Sequence, residues 1–230
     1  MDTVLTKLKS CPLFCTLTPE SIRRDILPLG QLRQYPRGAH ILSPQDRLDR
    51  LGIVITGRVQ ILHIFDDGSE SLSTVVNPAG VLGTELIATE TRTAPYHAVA
   101  AVPVELLLIP GEALLAPGTL PEETRLAVCA RLLTMLSHDT IKKEYRFAIL
   151  SRKGLRERIL TYLTMQANKR GTPSVTIPFS REEMASYLCV NRSALSHELS
   201  RMRQEGVLDF RKNRFTLLDW TPSEGEHSSI

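Results

Sequence analysis

The fold is decided by residues 179–218, which read FSREEMASYLCVNRSALSHELSRMRQEGVLDFRKNRFTLL. Ser180 is followed three residues later by Glu183, the spacing of a capping box, and this pair predicts a helix over 181–188. Asn191 is a good N-cap for a second helix, which we expect to run to about Glu205, where glycine ends it. Two helices joined by so short a connection are typical of a helix-turn-helix motif.

A basic hairpin follows the second helix. Val207-Leu208-Asp209-Phe210 and Phe215-Thr216-Leu217-Leu218 have the composition of strands, and they flank the turn Arg211-Lys212-Asn213-Arg214. This is the wing of a winged helix-turn-helix. Residues 151–220 hold 13 Lys and Arg against 7 Asp and Glu, whereas residues 1–150 hold 15 against 16. The charge asymmetry is typical of a sensor or scaffold joined to a portion that binds a polyanion, and a basic surface that serves only solubility is the alternative.

The second helix divides into a buried and an exposed side. Ala194, Leu195, Leu199 and Met202 on the helix, and Cys189 in the turn before it, are predicted to be buried. A helix in the major groove contacts base edges with donors near its N-terminal turns. We therefore expect base contacts from Arg192, Ser193, Ser196 and His197. Phosphate contacts are expected from Ser180, Arg181, Asn191, Arg201, Lys212 and Arg214.

The N-terminal half of the chain has a different pattern. The first 35 residues are amphipathic with a helical spacing, whereas residues 39–109 hold short β-type runs separated by turn residues. Asp66-Asp67-Gly68, between two such runs, is a hairpin signal. Several short strands at this spacing predict a small sandwich or barrel.

A single long helix is predicted over 119–150. Pro121 followed by Glu122 and Glu123 marks its start, and no residue breaks it before Leu150. Its apolar side chains recur at spacings of three and four over roughly 42 Å. A helix this long extends beyond one small domain, so a dimer seam is favoured over a buried core helix. The expected seam residues are Leu126, Leu133, Leu136 and Thr140.

The sequence thus predicts an α+β protein with a strand-rich domain over 1–118, a dimerisation helix over 119–150, a DNA-binding domain over 151–220 and a tail over 221–230. Hydrophobic residues at 42% and charged residues at 23% are globular values. No stretch is apolar enough for a membrane span, the N-terminus lacks a signal-peptide core, and the four cysteines are scattered. A cytoplasmic protein with no membrane partner is expected.

These features resemble the CRP/FNR family of bacterial transcription regulators, over roughly residues 11–220. The resemblance rests on Ser180-Arg181-Glu182-Glu183-Met184-Ala185, on residues 191–199, on Gly206-Val207-Leu208, and on Ile55-Thr56-Gly57-Arg58-Val59 before the hairpin. The order of β-roll, long helix and winged helix-turn-helix is specific to the family. It implies that residues 1–118 form a cyclic-nucleotide-binding-like effector domain, a double-stranded β-helix of the jelly-roll-like kind. It also implies a homodimer on a two-fold-related operator in double-stranded DNA, an effector pocket between β-roll and dimer helix, and RNA polymerase as a candidate partner.

The pocket implied by the resemblance departs from that of the cAMP-binding members. Those members hold the ribose with a Gly-Glu-Leu segment and the phosphate with an Arg-Ser pair about ten residues on. Here Gly83-Thr84-Glu85-Leu86 retains a carboxylate, but Ala94-Pro95 stands where Arg-Ser belongs, and Thr140-Ile141 replaces the family's Thr-Ser pair. We expect a pocket at Gly83, Glu85, Leu86, Arg92, Thr93 and Thr140 whose effector is unidentified and is not cAMP.

Two prosthetic groups, an iron–sulfur cluster and haem, are not expected. The redox-sensing members have three N-terminal cysteines where this chain has Cys11 and Cys15, so with Cys129 the cluster lacks its four ligands. The single histidines His63 and His138, like His97, are scattered and do not indicate haem. No metal site and no cofactor are predicted.

The predicted function is sequence-specific DNA binding by a transcription regulator. The alternative is a cyclic-nucleotide-regulated protein-interaction module that does not bind DNA, and a salt-dependent shift on promoter DNA separates the two. An enzyme is not expected, because the chain has no Ser/His/Asp set, no H-E-x-x-H motif and no phosphate-binding loop.

Overall fold

The computed structural model describes residues 2–221, in two compact units whose boundary falls between Asp139 and Thr140. The architecture is α+β, with an antiparallel β-roll, one long helix and a C-terminal winged helix-turn-helix, which confirms the predicted fold class. The predicted tail, 221–230, lies outside the described residues except for Thr221.

Helices precede the β-roll. They are α1 (Asp2–Ser10) and α2 (Pro19–Ser21), continued by a π-helical turn at Ile22–Ile26 and a 3₁₀ turn at Leu27–Leu29. Residues 31–35 then form a strand, so the prediction of helix through Tyr35 was wrong. The strand is mostly exposed and lacks an alternating apolar pattern, and its conformation is set by pairing with a distant strand, Val104–Pro110.

Eight strands form the β-roll of the first unit. They are β1 (Gln31–Tyr35), β2 (His40–Leu42), β3 (Arg50–Thr56), β4 (Val59–Ile64), β5 (Glu70–Val76), β6 (Val81–Leu82), β7 (His97–Ala100) and β8 (Val104–Pro110). Two antiparallel sheets result, with strand orders β1-β8-β3-β6 and β2-β7-β4-β5. Residues 51–55 of β3 are all buried because alternate side chains enter two different cores, inside the roll and under the helices.

Two turns of the roll depend on glycine or on local hydrogen bonds. The predicted hairpin at Asp66-Asp67-Gly68 is confirmed, since β4 and β5 pair antiparallel and Phe65 N–H donates to the Ser69 carbonyl at 2.9 Å. Gly57 joins β3 to β4 with φ of +85°, and a Cβ there would lie 2.2 Å from the Pro103 carbonyl oxygen. Only glycine fits this turn.

The long helix is confirmed. After the short α3 (Gly111–Leu115), α4 spans Glu122–Leu150 in 29 residues, starting at Glu122 rather than at 119. Val128 and Leu132 on α4 are buried in the core of the first unit, among side chains from α1 and β3.

The second unit contains the end of α4 and the winged helix-turn-helix. Its other elements are α5 (Leu155–Arg170), β9 (Ser174–Thr176), α6 (Arg181–Tyr187), α7 (Arg192–Gln204), β10 (Leu208–Arg211) and β11 (Arg214–Leu217). The three strands form one sheet in the order β10-β11-β9. An aromatic cluster of Tyr162, Phe179 and Tyr187, with ring centroids 5.0 to 6.2 Å apart, packs α5 against α6.

Candidate nucleic-acid interface

Helix α6 opens with the predicted capping box. Ser180 Oγ accepts a hydrogen bond from Glu183 N–H at 3.2 Å, and Glu183 Oε2 accepts one from Ser180 N–H at 2.7 Å. The Glu183 side chain is buried, so this reciprocal pair fixes the residue at which α6 begins.

The turn between α6 and α7 is held by backbone hydrogen bonds. Val190 N–H donates to the Ala185 carbonyl at 3.0 Å, and Cys189 N–H donates to the Ser186 carbonyl at 3.1 Å. Cys189 has φ of +56° and is exposed, so the prediction of a buried cysteine was wrong. The preceding residue, Leu188, is fully buried and fills the core, and the left-handed residue that follows it turns the chain outward.

Helix α7 exposes to solvent most of the polar residues that are predicted to contact bases. Asn191 Oδ1 accepts a hydrogen bond from Ala194 N–H at 2.7 Å and caps the helix as predicted. Leu195, Leu199 and Met202 are fully buried. Ala194 is exposed, contrary to the prediction, because it lies one position before the buried stripe begins. Of the four predicted base-contacting residues, Arg192, Ser193 and His197 are exposed and Ser196 is half-buried.

The wing has a cationic tip. Arg211, Lys212 and Arg214 are exposed around the turn between β10 and β11. Asn213 anchors this turn through two hydrogen bonds to Ile177. Its Nδ2 donates to the Ile177 carbonyl at 2.9 Å, and its carbonyl accepts from Ile177 N–H at 3.0 Å.

Two predicted phosphate-contacting arginines have partners within the protein. Arg181 is half-buried and donates from Nη2 to the Lys212 carbonyl at 3.2 Å. Burial, with the nearby charge of Arg192, lowers the pKa of Arg181. Arg201 Nε lies 3.0 Å from Glu205 Oε1, which offsets its charge.

Sequence reasoning missed Arg156, which supports α7 from behind. Its Nε lies 2.7 Å from Glu198 Oε1 and its Nη1 lies 2.6 Å from Glu205 Oε2, so α5 is tied to α7 and to the residue that caps the C-terminal end of α7. Glu198 and Glu205 lie 42 and 49 residues after Arg156 in the sequence, so no local pattern predicts these ion pairs.

The interior of the β-roll is filled by its own side chains. Tyr96 Oη donates to Glu85 Oε1 at 2.5 Å, and Thr84 Oγ1 donates to Glu85 Oε2 at 3.2 Å. The cavity beside Tyr96 measures about 30 Å³ and is lined mainly by aliphatic side chains, among them Leu48 and Leu106. A space of this size accommodates about one water molecule.

The predicted effector-pocket residues differ in exposure and in the partners that they contact. Arg92 Nη1 lies 3.3 Å from Asp49 Oδ1, and Arg92 lines a separate surface groove of about 360 Å³ that Glu85 does not line. Gly83 and Leu86 are buried, and Thr93 is half-buried beside Arg47. Thr140 lies on α4 and belongs to the second unit.

Exposed side chains, apolar at three of four positions, recur along α4 at intervals of seven residues. Leu126 is 55% exposed and Leu133 is 67% exposed, and Thr140 and Phe147, the latter 71% exposed, continue the spacing. Leu136, also predicted for the seam, packs partly against the core of the first unit. Sequence reasoning did not assign Phe147 to the seam, although the seven-residue spacing contains that signal.

Among residues 2–221, no three His, Cys, Asp or Glu side chains come together as metal ligands. Cys11 is buried, whereas Cys15 is exposed. Within the same range, no helix combines the length and the apolar composition that crossing a membrane requires.

Two family models match the chain in the order of its two units. The cyclic nucleotide-binding domain matches residues 32–116 and the Crp-like helix-turn-helix domain matches residues 157–221, together more than half of the chain. The chain belongs to the CRP/FNR family of transcription regulators. This assignment agrees with the resemblance found in the sequence and favours DNA binding over the protein-interaction alternative and over an enzyme.

Relatives of this CRP/FNR regulator align over most of its length. The Global nitrogen regulator of Synechococcus elongatus is 26% identical over 199 residues, which cover 84% of this chain and 87% of that protein. The Transcriptional activator protein FnrL of Cereibacter sphaeroides is 21% identical over 231 residues, covering 95% and 90%.

Solved structures share the fold. The c-di-GMP responsive global regulator CLP of Xanthomonas campestris superposes with a TM-score of 0.67 at 20% identity, over 88% of this chain and all of that chain. FixK2 of Bradyrhizobium japonicum gives a TM-score of 0.61 at 20% identity, over 84% of this chain and 99% of that one.

Proposed function

We propose that this regulator is a homodimer that binds a two-fold-related DNA site, each protomer placing the first turns of α7 in a major groove. The observation that carries the proposal is the division of α7. Its buried stripe is wholly apolar, while Arg192, Ser193 and His197 stand exposed near the N-terminal end, where a recognition helix contacts bases.

Base reading and phosphate contact are proposed for different residues. An arginine such as Arg192 can donate two hydrogen bonds to guanine, and Ser193, Ser196 and His197 can reach neighbouring base edges. Phosphate contacts are proposed for Lys212 and Arg214 at the wing tip, and for Ser180 and Asn191 at the two helix starts, where backbone N–H groups attract anions. Arg201 contributes less, because Glu205 and Glu198 lie beside it.

The dimer is proposed to form along α4. Leu126 and Leu133 are large apolar side chains more than half exposed at a heptad spacing, and a second copy of the same helix is the partner that buries both equally. Recognition helices in such a dimer must stand about 34 Å apart to enter successive major grooves on one face of the duplex.

DNA binding is proposed not to require a cyclic nucleotide in the β-roll. The cavity beside Tyr96 measures about 30 Å³, and Glu85 already has hydrogen-bond partners on both oxygens. A nucleotide phosphate also needs a paired cation, and Arg92 is engaged by Asp49. The effector, if the dimer uses one, binds elsewhere or opens the roll.

RNA polymerase is proposed as a partner of the DNA-bound dimer, because several relatives are named transcriptional activators. In vitro transcription from a template carrying a selected site, with and without the regulator, tests this. We expect a change in transcript yield that is lost in Arg192→Ala.

The experiment that tests DNA binding starts from a random pool of duplexes of about 40 base pairs, from which the wild-type protein selects ligands. We expect enrichment of an inverted repeat, and an affinity for it that falls steeply as salt rises, because cations on the protein displace counterions from phosphate. Lys169→Ala, at an exposed position on α5, serves as the control. No enrichment, or binding that is insensitive to salt, would refute DNA reading by this surface.

A further inference from the structure

We propose that Arg181 is a positioning residue, one that clamps the wing to the first helix of the helix-turn-helix and thereby sets where the wing-tip cations meet DNA. The inference rests on the proposed DNA binding and replaces the expectation that Arg181 is itself a phosphate ligand.

Three contacts hold the Arg181 guanidinium. Its Cζ lies 5.0 Å from the centroid of the Phe210 ring and 5.3 Å from that of Phe215, both within the range of a cation–π contact. Its Nη2 donates to the Lys212 carbonyl at 3.2 Å. The side chain begins at the first residue of α6 and ends on both strands of the wing and on the turn between them.

The aromatic surface under Arg181 is itself built as a unit. Phe210 and Phe215 are cross-strand partners on β10 and β11, with ring centroids 5.9 Å apart. Phe215 is fully buried, and Phe210 receives a second guanidinium, that of Arg203, at 5.4 Å. Arg203 is in turn paired with Asp209 at 2.8 Å. The rings present a fixed platform that a planar guanidinium can cover.

The clamp acts on a strained and strongly cationic turn. Lys212 has φ of +56°, a conformation that costs energy for a residue with a side chain, and Arg211 and Arg214 face each other across the hairpin. Asn213 fixes one side of the tip to Ile177, and Arg181 fixes the Lys212 carbonyl from α6. Without Arg181, the tip loses the hydrogen bond that joins the Lys212 carbonyl to the first residue of α6.

Two substitutions distinguish a clamp from a phosphate ligand at Arg181. Lysine keeps the positive charge but lacks the flat face and the fork of donors that reach two rings and a carbonyl at once. Leucine at position 210 removes the ring from the platform and changes no charge. A clamp is therefore damaged by Arg181→Lys and by Phe210→Leu, whereas a phosphate ligand tolerates both.

The test measures the affinity of the full-length protein for a duplex selected by the wild type, at several salt concentrations, with thermal unfolding to verify that each variant is folded. We expect Arg181→Lys and Phe210→Leu each to weaken binding about five- to tenfold. Lys212→Ala should cost much less in the Arg181→Lys background than in the wild type, since the clamp no longer directs that lysine. Lys169→Ala is the control and should bind normally.

The clamp would be overturned if Arg181→Lys or Phe210→Leu bound the duplex within twofold of the wild-type affinity. It would also be overturned if the losses of affinity in Arg181→Lys and Lys212→Ala were strictly additive. In either case the proposed DNA binding would stand. Failure of the wild-type protein to bind any selected duplex would overturn the proposed function itself, and the clamp with it.

Discussion

The Tyr96 hydroxyl donates a hydrogen bond to Glu85 Oε1 across 2.5 Å, inside the β-roll. Burial and the adjacent Glu85 charge raise the pKa of Tyr96, so the hydroxyl keeps its proton and remains a donor throughout the physiological range. The family resemblance assigns the Glu85 carboxylate to a ribose hydroxyl. Here that carboxylate accepts a hydrogen bond from Tyr96 of the same domain.

Calorimetry with cAMP tests whether this arrangement leaves room for a nucleotide. We expect no saturable heat in the micromolar range, because the cavity beside Tyr96 measures only about 30 Å³ and Ala94-Pro95 supplies no cation for the phosphate. Low-micromolar affinity that is lost in Arg92→Ala would contradict this expectation and would place the phosphate on Arg92.

Removal of the Tyr96 hydroxyl should destabilise the first unit. In Tyr96→Phe the Glu85 carboxylate loses a short hydrogen bond in a partly buried site, and we expect the free energy of unfolding to fall by about 1–2 kcal/mol. Urea denaturation measures it, and Tyr145→Phe, at an exposed site on α4, is the matched control. Equal stabilities for the two variants would mean that the Tyr96 hydroxyl contributes nothing.

A charge in the proposed seam should separate the protomers. Leu133→Glu places like charges opposite each other in a two-fold interface, and we expect light scattering to report a monomer that no longer binds the selected duplex. Lys142→Glu lies on the opposite face of α4, by the helical repeat, and should remain dimeric. A dimeric Leu133→Glu protein with normal DNA affinity would remove Leu133 from the seam.

The two N-terminal cysteines should differ in reactivity. Burial raises the pKa of the Cys11 thiol to about 11, so that only about a thousandth of it is thiolate at pH 8, while Cys15 is exposed. Mass spectrometry after brief alkylation of the native protein should find Cys15 modified and Cys11 intact, with Cys11 modified once the chain is unfolded. Equal labelling of both in the native state would show that Cys11 is not buried.

The sequence predicted those parts of the fold whose signals are local. The Ser180–Glu183 capping box, the Asn191 cap and the Asp66-Asp67-Gly68 hairpin each depend on residues within a few positions of one another. Hydrophobic spacing likewise predicted α4, because a helix buries the same face at every turn.

The parts that sequence did not predict depend on distant partners. Strand β1 is set by pairing with β8, which lies more than 70 residues further along the chain, and the composition of its own residues does not indicate a strand. The contacts of Arg181 were not predicted either, because the platform of Phe210 and Phe215 is created only when the wing folds back. The Tyr96–Glu85 hydrogen bond was missed for the same reason.

The most direct test of the account compares Arg192→Ala with Lys212→Ala on a selected duplex and on a random duplex of equal length. If α7 reads bases and the wing holds phosphates, Arg192→Ala should lose about 1–3 kcal/mol on the selected duplex and almost nothing on the random one. Lys212→Ala should weaken both duplexes alike and flatten the salt dependence. Equal losses for Arg192→Ala on the two duplexes would contradict base reading by α7.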